Sequence, residues 1–160
     1  MISLAITDVK GCMAQMLGGT SFDHFTLSEA TIMTRVSYVI DGHLRKEEDV
    51  QESGEPFTRY GKVRPLCFDM IKGKRAPEYF KFVFHLPGEA MRELVESSDA
   101  AVSAEDVLSL NFTIRFQENN LTLLTGNSLR IFTQDQTLHH AWDSYVEHFL
   151  DENGIKYEHQ

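Results

Sequence analysis

Two stretches of this chain carry side chains whose types and spacing could do chemistry. The first is Ile71-Lys72-Gly73-Lys74-Arg75, three cations around a glycine. A turn of that composition offers backbone N–H groups and charged side chains together to a phosphate or carboxylate. Lys62 and Arg64 lie just upstream, so the candidate anion-binding set is Lys62, Arg64, Lys72, Lys74 and Arg75. Tyr60, Phe68, Tyr79 and Phe80 interleave with these cations, as stacking rings do in single-strand binders. Phe80 also fits a strand pattern and Phe68 a helix face, which assigns both to the core. The second stretch is the polar side of the last helix, with His139, His140, Asp143, Glu147 and His148. Residues four apart stack on one side of a helix. His139, Asp143 and Glu147 repeat at that spacing, and His140 and Asp143, three apart, can also share a metal. His140, Asp143 and Glu147 are the candidate ligands, and since helix faces commonly supply two, a further one must come from elsewhere. His24, His43 and His85 are available as further donors, and no spacing selects among them. The plainer reading of the same residues is the solvated face that every amphipathic helix needs.

Charge sharpens the choice. The chain has 160 residues and a formal net charge of −9, which opposes indiscriminate attraction to nucleic acid or an anionic membrane. The distribution is uneven. Arg59, Lys62, Arg64, Lys72, Lys74, Arg75 and Lys81 crowd the middle against Asp69 and Glu78 alone. Asp135, Asp143, Glu147, Asp151, Glu152 and Glu158 crowd the end against Lys156. Either the two segments face each other, or the basic one meets an anionic partner. Walker, GxGxxG, GxSxG and HExxH motifs are missing. Gly18-Gly19-Thr20-Ser21 lacks the lysine and preceding strand of a phosphate loop and reads as a helix stop. Cys12 and Cys67 form no CxxC motif and read as reduced, partly buried thiols of a cytoplasmic protein. Residues 1–19 do not read as a secretory leader, and no apolar run reaches the roughly 20 residues that span a bilayer.

The elements that must hold these residues follow from periodicity. Val9, Met13, Met16 and Leu17 predict a first helix beginning at residue 3 or 7 and ending at 17. Residues 22–40 are β-branched and extended, with a change of phase that requires two strands or a bulge. Asp41-Gly42 predicts a hairpin turn, with a return strand over 43–47. Residues 45–61 are polar, with Gly54 and Pro56 as breakers, and predict a surface loop. A short helix is expected over 65–72, with Pro65 in its first turn. Alternation predicts a strand over 79–86, and Pro87 starts a helix over 88–97. Ser103 to Asp106 has the spacing of a cap. A meander follows: a strand through Leu110, Phe112, Ile114 and Phe116, a turn at Asn119-Asn120, a return over 121–125, a turn at Gly126-Asn127, and a strand over 129–133. Leu138, Ala141, Trp142, Tyr145, Phe149 and Leu150 predict the last helix, 137–153. The sum is a single α+β domain over 1–160, with a largely antiparallel sheet and helices packed mainly on one face. Val83, His85, Leu124 and Phe132 are expected on the other face, a place for a partner or a second copy of the chain.

Several stretches carry a resemblance. They are Ile6-Thr7-Asp8-Val9-Lys10, the run from Val63 to Arg75 leading into Phe80-Lys81-Phe82-Val83-Phe84, Ser128-Leu129-Arg130-Ile131-Phe132-Thr133, and His140-Ala141-Trp142-Asp143. Over nearly its full length the chain resembles a small family of uncharacterised domain proteins from anaerobic Gram-positive bacteria. The resemblance implies a stand-alone bacterial cytoplasmic protein and transfers no activity, cofactor or catalytic residue.

The functional expectation is thus a binding or interaction module rather than an enzyme, with no cofactor and no membrane. Its segment 59–75 would contact nucleic acid or an acidic protein surface. The alternative is a metal-dependent hydrolase on His140, Asp143 and Glu147. A homodimer through the uncovered sheet face or edge is the third reading.

Overall fold

The computed structural model describes residues 1–73 and 75–160. In chain order the elements are β1 (Ser3–Ile6), α1 (Val9–Met13) running into a π-helical turn (Ala14–Gly18), β2 (Thr26–Met33), β3 (Ser37–Asp41), α2 (Glu47–Ser53) and β4 (Thr58–Arg59). There follow α3 (Tyr60–Ile71), β5 (Tyr79–His85), α4 (Gly88–Ser97), a single 3-10 turn (Ala104–Asp106), β6 (Val107–Gln117), β7 (Asn120–Leu129), α5 (Thr137–Glu152) and β8 (Tyr157–His159). Among the described residues the strands form one sheet of eight in the order β3-β2-β5-β6-β7-β1-β8, with β4 pairing beside β2. Every pairing is antiparallel. The α+β architecture expected from the sequence is the one present.

Alternation explains the sheet's two faces. In β5, Phe80, Phe82 and Phe84 are wholly buried while Tyr79, Lys81, Val83 and His85 are half-buried on the opposite side. Phe112 and Ile114 of β6, Leu123 of β7 and Leu4 of β1 continue the buried face. Against it lies α5, whose Leu138, Trp142, Val146, Phe149 and Leu150 form one apolar stripe. Trp142 is 0% exposed and its Nε1 donates to the Asn111 carbonyl at 2.9 Å. Phe149 meets Phe22 and Phe25 edge-on, each with ring centroids 5.0 Å apart. Such edge-to-face pairs add to the stabilisation from burial. The opposite sheet face stays largely uncovered, with Val39 and Leu124 exposed and Lys81 paired to Glu29 at 2.9 Å. Phe132, expected on that face, lies beyond the end of β7 and is 89% exposed.

Five local expectations are corrected. Ser3–Ile6 is a strand and not the start of a helix: Leu4 and Ile6 alternate into the core against β7, and Asp8 caps α1 by accepting from the Gly11 N–H at 3.0 Å. The hairpin turn lies at Thr34–Val36, between β2 and β3, and not at Asp41-Gly42. Gly42 is instead a close approach, because a Cβ there would stand 1.7 Å from the Leu27 carbonyl oxygen. The change of phase between Leu27 and Ile32 is the bulge between Leu27 and Glu29; the hairpin leaves Ile32, Tyr38 and Ile40 in one phase, since Ile32 pairs with Tyr38. Residues 45–61 hold α2, β4 and the start of α3 rather than one loop. Pro65 sits inside α3, which begins at Tyr60, since Tyr60, Val63, Cys67 and Ile71 make a core-facing stripe across it. Gly126-Asn127 does not turn: β7 runs through to Leu129 in register with β6, so no separate strand follows over 129–133, and β8 supplies an edge strand instead.

Candidate anion-binding site

The basic middle of the chain is taken apart by the fold. Arg59 donates from Nη1 to the His24 carbonyl at 2.6 Å. Arg64 donates from Nε to Asp23 Oδ1 at 2.8 Å and from Nη1 to the Leu17 carbonyl at 3.4 Å, half-buried between α3 and the turn before β2. Its guanidinium is a structural tie and no free ligand-binding group. Lys62 is exposed on the first turn of α3 and lines a separate depression with Asp49 and Glu52 of α2. Lys74 lies outside the described residues. Lys72 and Arg75 remain, both exposed where the chain leaves α3 for β5.

Those two face a third cation that the sequence reading did not include. Arg35 occupies the turn between β2 and β3, and that turn stands beside the C-terminal end of α3. Together they line a cleft of about 550 Å³ with Thr34, Val36, Tyr38, Met70, Ile71, Gly73, Ala76 and Glu78. The Glu78 N–H donates to the Met33 carbonyl at 2.9 Å and pins the linker to the end of β2. Three cations thus meet one carboxylate around the opening. Lys72 reaches Asp69 at 2.9 Å in an exposed i,i+3 pair, an interaction of small net value in water. Neither Arg35 nor Arg75 has a carboxylate partner within ion-pair distance among the described residues. Phe68, expected in the core, is 43% exposed, with the Lys72 ammonium 6.0 Å from its ring centre. Gly73 has φ +155°, a conformation that favours glycine. Apolar side chains and cations line the cleft together, a combination that receives a ligand with an apolar body and a negative group. Among the described residues, no ion pair links the basic middle to the acidic end, so the carboxylates of residues 134–160 do not engage the cleft's cations.

The candidate metal ligands do not converge. Asp143 is 8% exposed and engaged: Thr125 Oγ1 donates to its Oδ1 at 2.6 Å, and the Met1 ammonium stands 3.3 Å from Oδ2. Glu147 turns toward β8, where His159 Nε2 lies 2.5 Å from its Oε1. His140 lies on the same side of α5 but is exposed, and no ion pair or hydrogen bond ties its ring to either carboxylate among the described residues. Of the further donors, His43 pairs with Asp41 at 2.6 Å and His85 with Ser28 Oγ at 2.8 Å. Among the described residues no three His, Cys, Asp or Glu side chains are grouped for a metal ion. The thiols are unsuited to nucleophilic work, since burial pushes both Cys12 and Cys67 up to about 12. Burial likewise pushes His85 down to about 4, so its imidazole is neutral at pH 7.

Arg35 escaped the sequence reading for a definable reason. Asp41-Gly42 has the stronger turn chemistry, and assigning the turn there leaves Arg35 inside a continuous extended run. No periodic signal sets Thr34-Arg35 apart, since Ile32, Val36, Tyr38 and Ile40 keep one apolar phase across it.

No described helix is long and apolar enough to cross a membrane. No curated protein matches the chain, and no solved structure matches it. One family model does match, over residues 15–158, and it covers the cleft and every candidate anion-binding and metal-ligating residue. By that match the chain belongs to DUF5721, a family of unknown function.

Proposed function

We propose that the chain is a non-enzymatic binding module and that the cleft between the β2–β3 turn and the end of α3 receives the anionic group of its partner. One observation carries this reading. Arg35, Lys72 and Arg75 come from segments far apart in sequence and line one cleft of about 550 Å³, in a chain whose net charge is −9. Cations gathered against the overall charge, with two of them uncommitted to carboxylates, favour an external anion. Of the five residues expected to bind it, the reading keeps Lys72 and Arg75, gives Arg64 a structural part and adds Arg35. Two buried, unpaired thiols support a reducing compartment. The setting that goes with the reading is bacterial cytoplasm, in the anaerobic Gram-positive group that the resemblance implies.

Charge reversal tests it. R35E, K72E and R75E should each weaken binding of a labelled single-stranded oligonucleotide or a polyglutamate peptide. For the oligonucleotide, the slope of log K against log salt should become shallower by about 0.7 for each phosphate no longer neutralised. Binding of either probe that survives all three reversals ends the reading.

A further inference from the structure

The geometry points to a compact phosphorylated ligand with a flat apolar body, of the size of a nucleoside monophosphate, as the occupant of this cleft. The inference rests on the anion-binding reading and narrows it to one ligand class.

Size is the first argument. A volume of about 550 Å³ lies within the roughly 300–1,000 Å³ of small-molecule sites. Charge layout is the second. A polymer's phosphates need a track of cations along its path. Among the described residues, the other cations of segment 59–75 lead away from the cleft: Arg59 and Arg64 are bonded to the protein and Lys62 faces the acidic α2. Among the described residues the positive charge is a spot that suits one phosphate group and not a groove that suits a strand.

The lining is the third argument. A bare inorganic anion would gain nothing from Val36, Tyr38, Met70 and Ile71, which supply the apolar part of the cleft. A ring system would bury its faces there, with the Tyr38 ring as a stacking partner. Arg35 and Arg75 can each hold a phosphate through two parallel N–H donors. Glu78, also in the lining, accepts hydrogen bonds, and a ligand carrying N–H or O–H groups beside its ring would use it. The opposite signs of Arg35/Arg75 and Glu78 would then orient the ligand.

Calorimetry and amide chemical-shift mapping of the intact chain test this with four kinds of probe: the four ribonucleoside monophosphates, the corresponding nucleosides, inorganic phosphate, and a ten-nucleotide poly(dT). At least one monophosphate should bind about tenfold or more tightly than its nucleoside and than inorganic phosphate, with shifts at Arg35, Tyr38, Lys72 and Gly73. The exposed pair R35E/R75E should abolish that binding. Y38L, which keeps the half-buried position apolar, should weaken the monophosphate by roughly tenfold and leave inorganic phosphate unchanged. Inorganic phosphate binding as tightly as every monophosphate overturns the ligand class, as does poly(dT) binding at the cleft when no monophosphate does. Both outcomes leave the anion-binding reading standing. If no anionic probe, polyglutamate included, shifts a cleft residue, both fall together.

Discussion

The seam between α5 and the sheet and the cleft at the tip of β2–β3 are built on opposite terms. In the seam, Trp142, Val146 and Leu150 are wholly buried, and the indole N–H is satisfied by the Asn111 carbonyl. In the cleft, Arg35 and Arg75 are exposed and have no carboxylate partner among the described residues. The seam commits its side chains to stability. The cleft leaves polar side chains uncommitted, which is what a binding surface requires. Substitutions in the two regions should therefore separate cleanly into those that alter folding and those that alter binding.

The largest expected effect is in the seam. Trp142→Ala should lower the unfolding free energy by about 3–5 kcal/mol, from the burial it forfeits and the cavity it leaves behind. R35E/R75E in the cleft should move it by no more than about 0.5 kcal/mol, as exposed substitutions do. Urea midpoints of the two variants check this, and comparable losses would erase the contrast. A smaller effect is expected at the entry to the hairpin region. Gly42→Ala places a methyl against the Leu27 carbonyl and should cost about 1–3 kcal/mol, with the backbone shifting to relieve the clash. Chemical-shift changes should then be confined to β2, β3 and the strand pairing near Phe57.

The effect that is smallest at pH 7 is a pH dependence on the open sheet face. His85 is held below its ordinary 6.5, at about 4, chiefly by burial and then by the nearby His43. The unfolded chain binds the proton first as pH falls, so it holds more protons between about 6.5 and 4. Stability from this group is therefore complete above pH 6.5 and declines as pH falls toward 4. His85→Gln should flatten the stability profile in that window, measured by denaturant titrations at closely spaced pH. A window that persists in the variant would assign the slope to other groups.

What was legible in the sequence divides along the same line. The α5 stripe and the Phe80-Phe82-Phe84 alternation were readable because burial on one face imposes a period, and a period is visible without coordinates. The α3 stripe of Tyr60, Val63, Cys67 and Ile71 has the same origin but was hidden by Gly61 and Pro65, which look like breakers. Ser3–Ile6 carries no decisive period, because two buried residues are too few to tell a period of two from one of 3.6. The cations near residue 72 were visible as a cluster, yet linear proximity could not show that Arg64 is committed to Asp23.

By itself, the chain's order of residues determined an α+β domain with an antiparallel sheet and a docked C-terminal helix, since hydrophobic burial is periodic and local. It also determined that positive charge gathers in the middle of an acidic protein. Only the tertiary structure decided which of those charges share a cleft, because that depends on the pairing register of β2 with β3 and β5. The register brings Arg35 beside residues some forty positions later, and no pattern within either segment encodes that meeting.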